Sequence, residues 1–216
     1  TAKASGFTCS TNSKENILTT QHYLEHTMAA AKSLTPAEIQ QVLDYIASSA
    51  NAARNRCLFL MSVMAGLRVS ELAGLTVGDI RRADGSIKAE VYLAAHRVKH
   101  AHARTVFVST RLQTEMANFI AQRNWIDDTQ PLFSIHHSPR KAFTANTLTQ
   151  HFFWQYKRAG IQASSHSGRK TFLTSLASQG VSVFVLASLA GHKSIATTQK
   201  YITVNDDMKR KAVELV

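Results

Sequence analysis

The chain has 216 residues, 44% of them hydrophobic, enough for one domain, or one domain with an extension, to bury a core without disulfide or metal staples. Its 25 Lys and Arg against 14 Asp and Glu leave a net charge of +11 spread along the chain, which favours a polyanion as partner, nucleic acid before an anionic membrane surface. No apolar run approaches the roughly 20 residues of a membrane-spanning helix, the polar N-terminal stretch lacks a signal-peptide core, and Cys9 and Cys57 have no CxxC or zinc-type spacing. A reducing, cytoplasmic setting is the expectation, with Cys57 a buried apolar residue.

Residues 1–33 are rich in Ser, Thr, Ala and Lys without a sustained apolar period; they are expected to form a partly disordered extension, with a helical stretch around Ile17 to Met28. The folded domain is expected over 34–216. It opens on "SLTPAEIQQVLDYI", where Thr35, Pro36 and Glu38 supply an N-cap, a first-turn proline and a capping-box acid. Ile39, Val42, Leu43 and Ile46 then recur at helical spacing. "RCLFLMSVMAGL" is apolar nearly all round and predicts a helix buried on most sides, ended by Gly66 and followed by a short helix in "LRVSELAGL". From Ile87 to Leu93 the chain alternates, with Ile87, Ala89, Val91 and Leu93 on one face, and "RTVFVS" (104–109) is a second β-rich run. The intervening "AAHRVKHAHA" is then a hairpin loop.

Beyond it the pattern is helical: Leu112, Met116, Phe119 and Ile120 mark one helix, and Leu148, Phe152 and Tyr156 another. "DDTQPLFSIHHSPRKAF" between them reads as a loop with a basic end. Two further helices are punctuated by Gly180 and Gly191, "SIATTQKYI" is a short helix ending near Tyr201, and "DDMKRKAVELV" is a charged terminal helix. The fold class is mainly α with a small antiparallel β-sheet.

Five short pieces carry candidate chemistry: Arg68 in "GLRVSEL", Lys99 in "HRVKHAHAR", His166 and Arg169 in "HSGR", His192 in "AGHKS", and Tyr201. Taken singly, each has a bland reading, as a solvated charge, a surface histidine or a half-buried aromatic. In this order and spacing they resemble the catalytic domain of the tyrosine recombinases, the phage-integrase family, over roughly residues 34–216. The resemblance implies a site-specific recombinase or integrase that cleaves and rejoins DNA strands through a 3′-phosphotyrosine. It implies Tyr201 as nucleophile, Arg68, His166, Arg169 and His192 around the phosphate, Lys99 as acid for the departing 5′-hydroxyl, and Glu71 as the orienting acidic residue. Neither a metal nor a nucleotide cofactor is expected. Double-stranded DNA is the implied partner, with a tetramer on DNA and a monomer without it.

The chemistry suits those residue types. Attack on a phosphodiester builds negative charge on its non-bridging oxygens, so fixed positive charge and positioning carry most of the catalysis. Guanidinium stays ionised and grips phosphate oxygens in a bidentate fork, and histidine titrates near neutrality, so His166 suits removal of the tyrosine proton. Arg104, Arg140, Lys141 and His100 are candidate DNA contacts, giving affinity and salt dependence rather than sequence choice. His96, His100 and His102 alternate in one loop, yet no carboxylate or thiolate set completes a metal site there. Two alternatives stand beside recombination: an inactive DNA-binding accessory protein of the same fold, and a topoisomerase-like relaxing enzyme.

Overall fold

The computed structural model describes residues 31–94, 103–123, 127–135, 138–202 and 206–214. The chain divides into two units, Thr1–Ala30 and Ala31–Val216, and every described residue lies in the second. Residues 1–30 of the expected extension lie outside the described residues, as does most of the first hairpin loop.

Helix α1 (Pro36–Ala47) starts at the anticipated capping box: Thr35 Oγ1 accepts from the Glu38 amide at 3.2 Å, and Glu38 Oε2 accepts from the Thr35 amide at 2.9 Å. Its Val42, Leu43 and Ile46 are buried. Helix α2 (Ala52–Ala65) is the hub of the core, enclosed on nearly all sides as its composition predicts, with Cys57 1% exposed and unpaired. It packs against α1, α5 (Thr110–Ala121) and α7 (Ser167–Ser178). The contact with α7 is very close at Gly168, where a Cβ would lie 2.2 Å from Ser62 Oγ and 2.9 Å from Ser62 Cβ.

After α2 come the short helices α3 (Val69–Gly74) and α4 (Val77–Ile80) and the antiparallel pair β1 (Glu90–Leu93) and β2 (Arg104–Phe107), with Val91 opposite Val106. Val91, Leu93 and Val106 face the core. Ala89, expected on that face, is exposed, and Ile87 makes an isolated bridge to Arg81 instead of joining the strand. The stretch 127–143, expected to be a loop, contains a second two-stranded sheet, β3 (Ser134–Ile135) with β4 (Ser138–Ala142). Leu132 and Phe133, both 0% exposed, sink its entry into the core. A two-residue strand is too short to show the alternation by which strands are read.

Helix α6 (Ala145–Arg158) buries Leu148, Phe152 and Tyr156. The C-terminal part comprises α7, α8 (Val183–Ala190), α9 (Ile195–Gln199) and α10 (Asp206–Val213). Leu173, Ala177, Leu186 and Ala190 form a second small core, onto which Tyr201 and Ile202 pack. Among the described residues the architecture is mainly helical with two small antiparallel sheets. No helix among the described residues is long and apolar enough to cross a membrane.

Two stability predictions come from this packing. Gly168→Ala forces a methyl group into Ser62 and is expected to cost about 1–3 kcal/mol, read from urea unfolding. His151 is largely buried, and that burial, reinforced by Arg54 and Arg158, lowers its pKa to about 4. The unfolded chain, with an ordinary histidine pKa, takes up the proton first. Stability is therefore full above about pH 6.5 and is lost as the pH falls towards 4. Between about pH 7 and 4.5 this group is expected to remove about 2 kcal/mol, a loss absent in His151→Gln when urea midpoints are compared at the two pH values.

Candidate active site

The C-terminal ends of α2 and α8 converge on one cluster of arginines. Gly66 and Gly191 cap these helices in the left-handed conformation, at φ 64° and 61°, which spares a side chain the strain of that backbone. Helix ends leave carbonyls without intrahelical partners and carry partial negative charge. Here guanidiniums satisfy them. Arg169, from α7 and 4% exposed, donates through Nη1 to Gly66 O at 2.6 Å and through Nη2 to Ala190 O at 2.5 Å. Arg104, the first residue of β2, donates through Nη1 to Leu189 O at 2.5 Å. Gly191 is needed for space as well, since a Cβ there would lie 2.6 Å from Arg104 Cδ.

Glu71, 2% exposed on α3, sits among these cations. Its Oε1 and Oε2 accept from Arg104 Nε at 3.0 Å and Nη2 at 2.7 Å, in a bidentate fork. The same carboxylate accepts from the Arg68 amide at 2.7 Å and from Arg68 Nη1 at 2.8 Å. Glu71 thus caps α3 and aims Arg68, whose side chain remains 30% exposed. Burial alone would raise the Glu71 pKa, but the bonds and charge of Arg104, followed by those of Arg68, hold it below the usual carboxylate range.

Three guanidiniums meet one carboxylate, so the cluster carries net positive charge in a partly desolvated place. Burial, then repulsion from Arg68 and Arg104, brings Arg169 down to about 9. Burial, then Arg169, Arg68 and Arg104, brings His192 down to about 4 and keeps its ring neutral at physiological pH. Arg169 Nη2 lies 3.1 Å from His192 Nε2, and His192 Nδ1 lies 2.8 Å from Thr198 Oγ1. Because guanidinium only donates, Nε2 is the acceptor and the proton sits on Nδ1, donated to Thr198. Tyr201 follows α9, its ring stacked on His192 with centroids 5.9 Å apart and planes at 22°. His166 is the N-cap of α7, with part of its ring in solvent; its buried part, followed by Arg169 and Arg68, lowers its pKa.

The fold therefore gathers Arg68, Glu71, Arg169, His192 and Tyr201, with His166 within electrostatic reach of both arginines. Lys99 and His100 lie outside the described residues. Arg140 and Lys141 are exposed on β4. Arg104 corrects the sequence expectation: its side chain is 6% exposed and locked to Glu71 and Leu189 O, so it braces the site from within instead of facing DNA. Sequence reading passed over Thr198, fully buried beneath His192; its only signal is a threonine six residues after the histidine and three before the tyrosine. Among the described residues, no group of three His, Cys, Asp or Glu is placed to hold a metal ion.

Removing the carboxylate tests this bracing. Glu71→Ala leaves Arg104 buried without its counter-charge and is expected to cost about 3–5 kcal/mol in urea unfolding, whereas Glu71→Ala with Arg104→Met recovers most of the loss.

The model of the phage integrase family matches residues 32–208 of the chain. Tyrosine recombinase XerA of Pyrococcus furiosus is 30% identical over 184 residues, covering 85% of this chain and 61% of the relative. The chain thus spans about three fifths of that relative's length. In fold it is similar to the crystal structure of XerA recombinase, with a TM-score of 0.68 at 22% identity over 87% of this chain and 64% of the other. It is also similar to the Tn1549 transposon integrase in complex with circular intermediate DNA, with a TM-score of 0.64 at 22% identity over 84% and 66%.

Proposed function

Starting from the fact that the chain belongs to the phage integrase family, we propose that it is a site-specific DNA recombinase that cuts and rejoins strands through a covalent 3′-phosphotyrosine at Tyr201. The observation that carries this reading is the convergence of Arg68, Arg169, His192 and Tyr201 from four separate elements onto one electropositive, half-buried place.

In this reading a backbone phosphate enters beside the exposed guanidinium of Arg68 and is held between it and Arg169. The Tyr201 phenol oxygen attacks phosphorus while the bond to the 5′-oxygen breaks. The tyrosine proton passes to His166, and Lys99 supplies a proton to the departing 5′-oxygen. Attack on a phosphodiester spreads extra negative charge over the non-bridging oxygens, and the surplus of guanidinium over carboxylate is already in place to meet it. The helix-end carbonyls hold Arg169 before substrate arrives, so little reorganisation remains to be done. One phosphoester is exchanged for another, so the step is reversible and takes no energy from a nucleotide. Neither metal nor cofactor enters the scheme. Double-stranded DNA is the substrate, with Arg140 and Lys141 on its backbone, and protomers act as a tetramer on paired sites and separate without DNA.

The test is a labelled duplex carrying recombination sites, incubated with wild type and with Tyr201→Phe and run on a denaturing gel. Wild type is expected to give a covalent protein–DNA band. Tyr201→Phe is expected to bind the duplex equally well and give no band. A band that persists in Tyr201→Phe moves the nucleophile elsewhere and overturns the assignment.

A further inference from the structure

Thr198 is fully buried in α9, a five-residue helix whose other side chains are exposed. Its hydroxyl bonds His192 Nδ1 at 2.8 Å and no other group among the described residues, while its carbonyl accepts from the Tyr201 amide at 2.9 Å. One residue thus grips both partners of the stacked His192–Tyr201 pair, the histidine through its side chain and the tyrosine through the backbone. We propose that Thr198 is a positioning residue that anchors the His192 ring through Nδ1 in the tautomer that Arg169 imposes, and keeps it anchored when the proton changes places as a phosphate binds.

The argument follows from what each group can donate. Without DNA, Nε2 accepts from Arg169 and Nδ1–H donates to Thr198. In that tautomer His192 has no proton on Nε2 to offer a phosphate oxygen. When a phosphate draws the Arg169 donors towards itself, Nε2 loses its donor and gains an acceptor as neighbour. The ring then serves the phosphate as the Nε2–H tautomer: Nδ1 releases its proton to solvent, Nε2 takes one from solvent, and the net charge is unchanged. A hydroxyl both accepts and donates. The Thr198 O–H therefore rotates and donates to the bare Nδ1, so the ring keeps its anchor in either tautomer. An asparagine or aspartate in this position would favour fewer of these arrangements, and an alkyl group supports neither. Outer-sphere partners of this kind orient an imidazole and select its tautomer.

The inference rests on His192 belonging to the phosphate site, so the experiment has an arm that does not depend on cleavage. Thr198→Val removes the hydroxyl at constant shape, and Thr198→Ser retains it. In long-range ¹H–¹⁵N spectra without DNA, wild type and Thr198→Ser are expected to show one protonated and one bare ring nitrogen at His192, with the proton on Nδ1. Thr198→Val leaves the Nδ1–H without an acceptor, so the ring is expected to lose its fixed place against Arg169 and to show averaged nitrogens. In preformed protein–DNA complexes, Thr198→Val is expected to form the covalent adduct about 10–100-fold more slowly, and Thr198→Ser within about threefold of wild type.

A Thr198→Val protein with a wild-type His192 spectrum overturns the inference. So does one whose spectrum changes while adduct formation keeps its wild-type rate. If Thr198→Ser is as slow as Thr198→Val, packing of the methyl group is responsible and the hydroxyl has no such role. Should wild type itself form no adduct, the recombinase reading fails, and the spectra alone decide whether Thr198 anchors the His192 ring.

Discussion

A buried carboxylate surrounded by cations is costly to place and costly to disturb, and Glu71 has that position here. Taking its charge out of water is tolerable only because Arg104 grips both oxygens and Arg68 adds its amide and guanidinium. In return the carboxylate fixes the orientation of Arg68, caps α3, and ties the start of β2 to the end of α8 through the third donor nitrogen of Arg104. Elements from three stretches of the chain are thereby held in register at the one place where the candidate chemistry sits.

Helix ends do the remaining electrostatic work. The carbonyls of Gly66, Leu189 and Ala190 bear partial negative charge and receive arginine donors. With these carbonyls, three like-charged guanidiniums are held together around a single carboxylate. The repulsion is reflected in Arg169 and His192, both of which are pushed by burial and by neighbouring cations towards their neutral forms. An anion entering the cluster would relieve that repulsion, which favours binding of negative charge at its centre.

The small second core explains why Tyr201 is well placed though no regular element carries it. Its ring leans on the Leu173, Ala177, Leu186 and Ala190 cluster and stacks on His192, and its amide is tied to Thr198. The half-buried ring narrows where the phenol can point.

Much of this was written in the one-dimensional chain. The Thr35 and Glu38 box starts α1, the all-round apolar run makes α2 the hub, and Gly66 and Gly191 stop helices where only a left-handed residue fits. These are local effects, decided by a few neighbouring residues, and the order of Arg68, His166, Arg169, His192 and Tyr201 is equally plain in the sequence. The tertiary structure decided what depends on distant partners. Arg104 has the same sequence signature as any strand-end arginine, and its burial requires Glu71, 33 residues away, and Leu189, 85 residues away. The β3–β4 pair depends on Leu132 and Phe133 entering the core rather than on any alternation of its own. Thr198 gains its meaning only when Arg169 claims the far side of the His192 ring. Local propensity and motif order are encoded by adjacency in the chain; charge compensation and proton placement are settled only when remote groups share a low-dielectric space.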